Sequence, residues 1–228
     1  MDIRPCAPED RDALEALFAR AGEGSPTGTL WGDPESEALI YLTPYLRHDP
    51  QLVLLAWTQS GPVGYLAGCL DTAEFPREDK LFSDAISARL IMRRPSSVAF
   101  FARSAADAIR DRLRKRPASG ELLDPRWPAH LHINVATEAR GTGAGAALMA
   151  AWIDRLREHG VPGCHLQTIV ENHGAVRFFE RSGFRVHGPT PPVPGIRWQG
   201  GRVHQQTMVQ EFQRARTVVR SLTPPASP

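Results

Sequence analysis

The sequence predicts an α/β (α+β) fold, on three observations. Apolar runs of strand length alternate with segments of helical period. Two neighbouring runs, 51–58 and 63–71, are joined by Gln59-Ser60-Gly61-Pro62 as the strands of a β-hairpin would be. A glycine-rich turn, Arg140-Gly141-Thr142-Gly143-Ala144-Gly145, stands between a strand candidate and an amphipathic helix. At 228 residues the chain is one large domain or two small ones, long enough to bury a full core.

Taken in order, residues 3–5 read as a short strand. The helix expected at 8–21 has Pro8 near its start and Glu9 and Asp10 in its first turn, where negative charge favours the helix dipole. Leu14, Leu17 and Phe18 form its apolar stripe. A glycine-containing loop follows at 22–32, then a helical segment at 34–47 interrupted by Pro44. After the hairpin, 75–117 reads as a helical insertion. Its stretch from Asp84 to Arg116 carries nine basic residues against three acidic ones and is expected to be a solvated helix face.

A strand is expected at 130–136, leading into the turn. Beyond it Leu148, Met149, Trp152, Ile153 and Leu156 recur at helical spacing, until Gly160 stops the helix. Residues 164–170 read as a further strand and 172–181 as a short helix. The last two strands are expected at 183–186 and 204–212, joined by a Pro/Gly-rich loop at 188–201. The tail 214–228 ends in Thr-Pro-Pro-Ala-Ser-Pro and is expected to be disordered.

Composition excludes several classes. A net charge of +2 gives no global electrostatic case for nucleic acid, and no run of 18 apolar residues supports a membrane span. Cys6, Cys69 and Cys164 lie far apart without metal-ligand spacing, so reduced thiols, no metal and a cytoplasmic setting are expected. The opening MDIRPCAPEDRDALEALF carries no charged-then-apolar leader.

The turn carries the chemistry. Its side chains are small or absent, so backbone N–H groups can approach an anion closely. The helix behind adds unpaired N–H groups and the positive end of its dipole. A P-loop would close on Gly-Lys-Ser/Thr, but the only lysines are Lys80 and Lys115. A dinucleotide fingerprint needs an acidic residue about 20 positions on; here that region is Gly160-Val161-Pro162-Gly163.

The order β-α-α-β-β-insert-β-α-β-α-β-β around this turn resembles the GNAT superfamily of acyl-coenzyme A-dependent N-acetyltransferases. IRPCAPEDRDALEALF is similar to that family's opening strand and helix, VGYLAG to its third strand, and ARGTGAGAALM to its pyrophosphate motif. ENHGAVRFFERSGF resembles its downstream Asn-x-x-Ala motif. A narrower likeness, in DPESEALIYLTPY, CLDTAEF and WPAHLHI, is to bacterial relatives of the acetyltransferase-like C-terminal domain of O-GlcNAcase.

The resemblance implies one domain over 1–213, built on a central mixed, mostly antiparallel sheet of about seven strands flanked by helices. The insertion falls between its third and fourth strands. It further implies acetyl-CoA as cosubstrate and transfer to a primary amine of a small molecule, by a monomer or homodimer. Gly141, Thr142, Gly143, Ala144, Gly145 and Ala146 would hold the coenzyme pyrophosphate, with Arg140 opening the turn. Ile133, Asn134 and Val135 would pair with the pantetheine arm, and the Val135 N–H would face the thioester carbonyl. Asn172 would bond the pantetheine, and Ala175, Phe178 and Phe179 would line the cleft. Phe178 is expected to be core packing, while Phe179 stays open between core and cleft.

The family's tyrosine acid is replaced by Phe179, and the tyrosines are Tyr41, Tyr45 and Tyr65. Candidate bases are Glu171, His132 and Asp71, each with a structural role as its alternative. A non-catalytic coenzyme-binding module and a protein or histone acetyltransferase stand as alternatives to the small-molecule enzyme.

Overall fold

The computed structural model describes residues 1–22, 24, 33–89 and 95–212. Most of the 22–32 loop and the whole 214–228 tail therefore lie outside the described residues. The sheet runs in the order β1 (Asp2–Pro5), β2 (Val53–Thr58), β3 (Gly61–Cys69), β4 (Ala129–Val135), β5 (Gly163–Ile169), β8 (Gly201–Glu211), β6 (Arg185–His187), with β7 (Pro192–Trp198) paired to β8. Every pairing is antiparallel except β4 with β5. That pair is parallel and holds register only at Ala129 with Cys164 and His130 with His165. Beyond these residues the two strands part.

Two helical layers cover the sheet. On one face α6 (Ala144–Glu158) crosses β2, β3 and β4, burying the expected stripe of Leu148, Met149, Trp152, Ile153 and Leu156. Phe179 of α7 (His173–Arg181) joins this core. On the other face α1 (Arg11–Ala21) and the pair α2 (Pro34–Tyr41) and α3 (Thr43–His48) bury Leu14, Leu17, Leu42 and Tyr45 against β2 and β3. Pro44 interrupts by starting α3 in its first turn, where its missing N–H costs nothing. Among its described residues the insertion forms two helices, α4 (Glu78–Arg89) and α5 (Pro95–Leu113).

One expectation fails: the 188–201 loop contains β7. Proline and glycine normally punctuate strands, yet here they sit on a lightly paired edge strand, where proline is tolerated. Gln199 and Gly200 both take positive φ, 49° and 80°, which is the type I′ geometry of a two-residue hairpin turn. Helix α5 holds the strand from outside. Asp107 accepts from the Gly195 N–H at 3.0 Å and pairs with Arg197 at 2.7 Å. The Arg103 Nε donates to the Gly195 carbonyl at 2.8 Å. The Arg197 hydrogen bond pulls the Asp107 pKa down to about 2, against the opposing effect of burial. Asp107 and Asp111 are thus buried anchors of β7 and β8, while Arg103, Arg110, Arg112 and Arg114 form the exposed face that was expected.

Candidate active site

The parted strands create the site. Ala136 N–H donates to the Val63 carbonyl at 2.9 Å, and Val135 lies opposite Gly64. Alternate residues of an antiparallel strand turn both backbone groups to the same neighbour. His132 and Asn134 therefore face β3, while Ile133 and Val135 turn their N–H and C=O toward the gap. Likewise Val170 N–H donates to the His204 carbonyl at 2.9 Å, so Gln167 and Ile169 face the gap from β5. The gap thus has two strand edges able to pair with an extended amide-bearing ligand.

At its lip the glycine turn is held by its neighbours. The Arg140 side chain donates from Nε to the Val135 carbonyl at 3.4 Å and from Nη2 to the Ala21 carbonyl at 3.2 Å. Thr142 Oγ1 donates to the Ala139 carbonyl at 2.7 Å. Both are occupied in shaping the turn. Gly141 and Gly143 have φ of 82° and 92°, the left-handed region that L residues avoid, and the place of a Cβ on either is open space. Gly143 caps α6, so the N–H groups of Ala144, Gly145 and Ala146 have no helical acceptor and point out of the helix end. These residues fit a diphosphate, with bare N–H groups, a helix dipole and room for the anion.

Asn172 caps α7, its Oδ1 accepting from the Ala175 N–H at 3.2 Å, which leaves its amide nitrogen for the cleft. Both phenylalanines pack in or against the core and both line the cleft. Phe179 is the more deeply buried, 7% exposed. Phe178 is half-buried, its ring edge 3.4 Å from where a Gly145 Cβ would stand.

From the turn, a cavity of about 970 Å³ runs through the gap to the face covered by α2 and α4. All three tyrosines line it, with His130, His132, His165, Glu37, Glu78 and Glu121. Thr72 Oγ1 donates its one proton to the Pro128 carbonyl at 2.7 Å and so accepts from His130 Nδ1–H, also at 2.7 Å. His130 Nε2 is then the acceptor for the Tyr45 hydroxyl at 2.8 Å. Tyr65 accepts from Asn134 Nδ2 at 2.7 Å. Burial holds His130 well below its ordinary pKa and, with His165 adding to it, brings His132 to about 4. Burial raises Glu78, and the charge of Glu121 raises it further, while the Tyr41 hydroxyl donates to Glu78 and opposes both.

Of the three candidate bases, His132 alone lines the cavity, its ring 5.8 Å from Tyr41 and 5.5 Å from Tyr45. Glu171 is turned to His204, accepting from its N–H at 3.0 Å and pairing with its Nδ1 at 2.9 Å. Burial raises the Glu171 pKa, but these hydrogen bonds outweigh it and hold the group low. Asp71 accepts from the Ala73 N–H at 2.9 Å, an ordinary turn contact. Sequence reading missed Tyr45, His130, His165 and Glu78. Among the described residues no group of three or more His, Cys, Asp or Glu could hold a metal ion, and no helix is long and apolar enough to cross a membrane.

The buried imidazoles set a pH dependence. His132 titrates near 4 in the folded chain, against about 6.5 unfolded, so the unfolded chain binds the extra proton first as pH falls. The stability present above pH 6.5 is lost progressively toward pH 4. Urea unfolding is expected to lose about 2 kcal/mol between pH 7 and pH 5 from His132. His130 and His165 act in the same direction. Glu78, raised when folded, works oppositely, and Asp10, Asp107, Asp111 and Asp124 lose their contributions only in more acid solution. A urea midpoint that stays flat from pH 7 to pH 5 would contradict this.

A profile described as the Acetyltransferase (GNAT) family matches residues 24–184. The ribosomal-protein-alanine N-acetyltransferase from Brucella melitensis is 19% identical with a TM-score of 0.57, over 93% of this chain and 100% of that one. The yncA protein of Salmonella typhimurium, solved with its cofactor acetyl-CoA, is 17% identical with a TM-score of 0.56, over 100% and 97%. For the ribosomal-protein-S18-alanine N-acetyltransferase from Escherichia coli the values are 14% and 0.52, over 96% and 97%. At these identities the likeness is one of fold.

Proposed function

Because the chain belongs to the acetyltransferase (GNAT) family, we propose that it transfers acetyl from acetyl-CoA to a primary amine of a small molecule by direct attack. The family's cosubstrate supplies an acyl thioester with a good leaving thiolate. The observation that carries the reading is the parted β4–β5 pair ending on the bare helix N-terminus at Gly143. Gly141, Gly143, Ala144, Gly145 and Ala146 offer N–H groups to the diphosphate, and Ile133 and Val135 offer strand-edge groups to the pantetheine amides. The Val135 N–H is the donor for the carbonyl oxygen, where charge develops; such donors contribute about 3 kcal/mol.

The amine approaches from the α2–α4 side. Its nitrogen bonds to the acetyl carbon, the carbon–sulfur bond breaks, and the surplus proton leaves through solvent or to the departing sulfur. A ring titrating near 4 is neutral at pH 7, with one nitrogen bearing hydrogen and the other a lone pair. His132 therefore accepts a hydrogen bond from the amine on that lone pair and orients the attacking nitrogen. The buried thiols of Cys6, Cys69 and Cys164 support a reducing, cytoplasmic setting for a monomer or homodimer. The likeness to relatives of the O-GlcNAcase domain rests on the motifs alone.

Calorimetric titration with acetyl-CoA tests the first half, and absence of binding would sink the enzyme reading. Thiol release over a panel of amines tests the second. His132→Ala is expected to lower kcat 10- to 100-fold while leaving acetyl-CoA affinity within threefold. Phe179, which has no proton to give, favours one other reading, a coenzyme-binding module. Binding without thiol release from any amine would establish it.

A further inference from the structure

Resting on that reading, we propose that the acceptor is a small aliphatic diamine or polyamine. One amine reacts uncharged at His132, and a second stays protonated between Glu78 and Glu121.

The cavity is divided by charge. At the turn its cationic lining residues are Arg140 and Arg181, beside the N–H groups of the helix end. Toward α2 and α4 the described lining holds Glu37, Glu78 and Glu121 and no lysine or arginine. Glu121 and Glu78 are held by their neighbours. The Gln205 side chain donates to the Gly120 carbonyl at 2.9 Å and accepts from the Gly120 N–H at 3.0 Å. Gln167 donates to the same carbonyl. The clamped loop presents Glu121, whose Oε1 accepts from the Glu78 N–H at 2.8 Å. The Glu121 carboxylate is thereby held at the start of α4, and Glu78 is raised by its burial and by the charge of Glu121. A cation between them relieves that repulsion.

A second observation points to a donor ligand. His165 is 3% exposed and gives its Nδ1–H to the Trp127 carbonyl at 2.7 Å. That fixes the tautomer and leaves a lone pair on Nε2, which has no partner among the described residues although the side chain lines the cavity. Both ring nitrogens of the half-buried His132 are likewise without a described partner. These lone pairs open onto the cavity, where a chain bearing several N–H groups can donate to them. The rings of Tyr41, Tyr45 and Phe75 along the same wall suit the methylenes between two amines.

The test compares butylamine, 1,4-diaminobutane and an alanine-terminated peptide, by thiol release at saturating acetyl-CoA and by calorimetric binding of each amine to the free protein. The diamine is expected to exceed butylamine at least 30-fold in kcat/KM, to bind measurably where butylamine does not, and to weaken with added salt. Glu78→Gln is expected to bring that preference to within about threefold through KM. Glu121→Gln serves as the second variant should the first melt below assay temperature. If thiol is released but the diamine is no better than butylamine, or the peptide is preferred, the inference falls and the acetyltransferase reading stands; binding with no thiol release from any amine overturns both. If acetyl-CoA itself does not bind, both fall.

Discussion

Gly143→Asp is expected to keep the fold and lose acetyl-CoA, with affinity falling at least 100-fold by calorimetry. Gly143 has φ of 92° and caps α6. Aspartate is among the few residues that enter the left-handed region with modest strain, and it is a favoured helix cap. The substituted chain should therefore melt within a few degrees of the parent. Its new carboxylate would occupy the open space beside the helix end and place a negative charge where the diphosphate has to sit. One interaction is converted from attraction to repulsion, and the 100-fold loss corresponds to about 2.7 kcal/mol of binding. Unchanged affinity in a folded variant would show that the coenzyme is held elsewhere.

The second large effect lies away from the site. Gly68→Ala is expected to destabilise the chain by about 3 kcal/mol or more, the upper end of overpacking costs. A Cβ at this position would stand 2.6 Å from both Cζ2 and Cζ3 of Trp152. Trp152 projects from α6 into the core and is fully buried there. Pairing the change with Trp152→Leu tests the cause. The double variant should be less destabilised than the sum of the singles, because the leucine removes the ring that the methyl strikes. Additivity in urea midpoints would assign the loss to something other than this contact.

What was legible in the sequence follows the range of each interaction. The glycine turn, the α6 stripe and the Asn172 cap are local patterns, and the helices and strands around them fell where periodicity put them. β7 escaped because its prolines and glycines read as loop, although Gln199-Gly200 before β8 was a usable hairpin signal. The acceptor end escaped for another reason. Tyr41, Tyr45, Glu78, Glu121, His130 and His165 come from five separate stretches, and only the folded arrangement of helices on the sheet brings them together. Glu171, one of three candidate bases with a capping role as its alternative, is met by His204, 33 positions later, at both of its oxygens. Phe178 and Phe179 differ by one helical step, too fine a distinction for a stripe read from one helix, and Phe184 shares the core with the second of them.

The two residue pairs joining β4 to β5 make the sheet resemble an open book with a short spine. Around that spine the bonds are dense. Thr72 gives both its N–H and its hydroxyl to Pro128, His165 holds the Trp127 carbonyl, and the rings of His130 and His165 lie 5.8 Å apart. The spread of the pages is therefore governed at the binding edge, by residues that need never meet a ligand. A change at Thr72 or Trp127 would alter how wide the book lies open while every residue of the glycine turn stayed as it is.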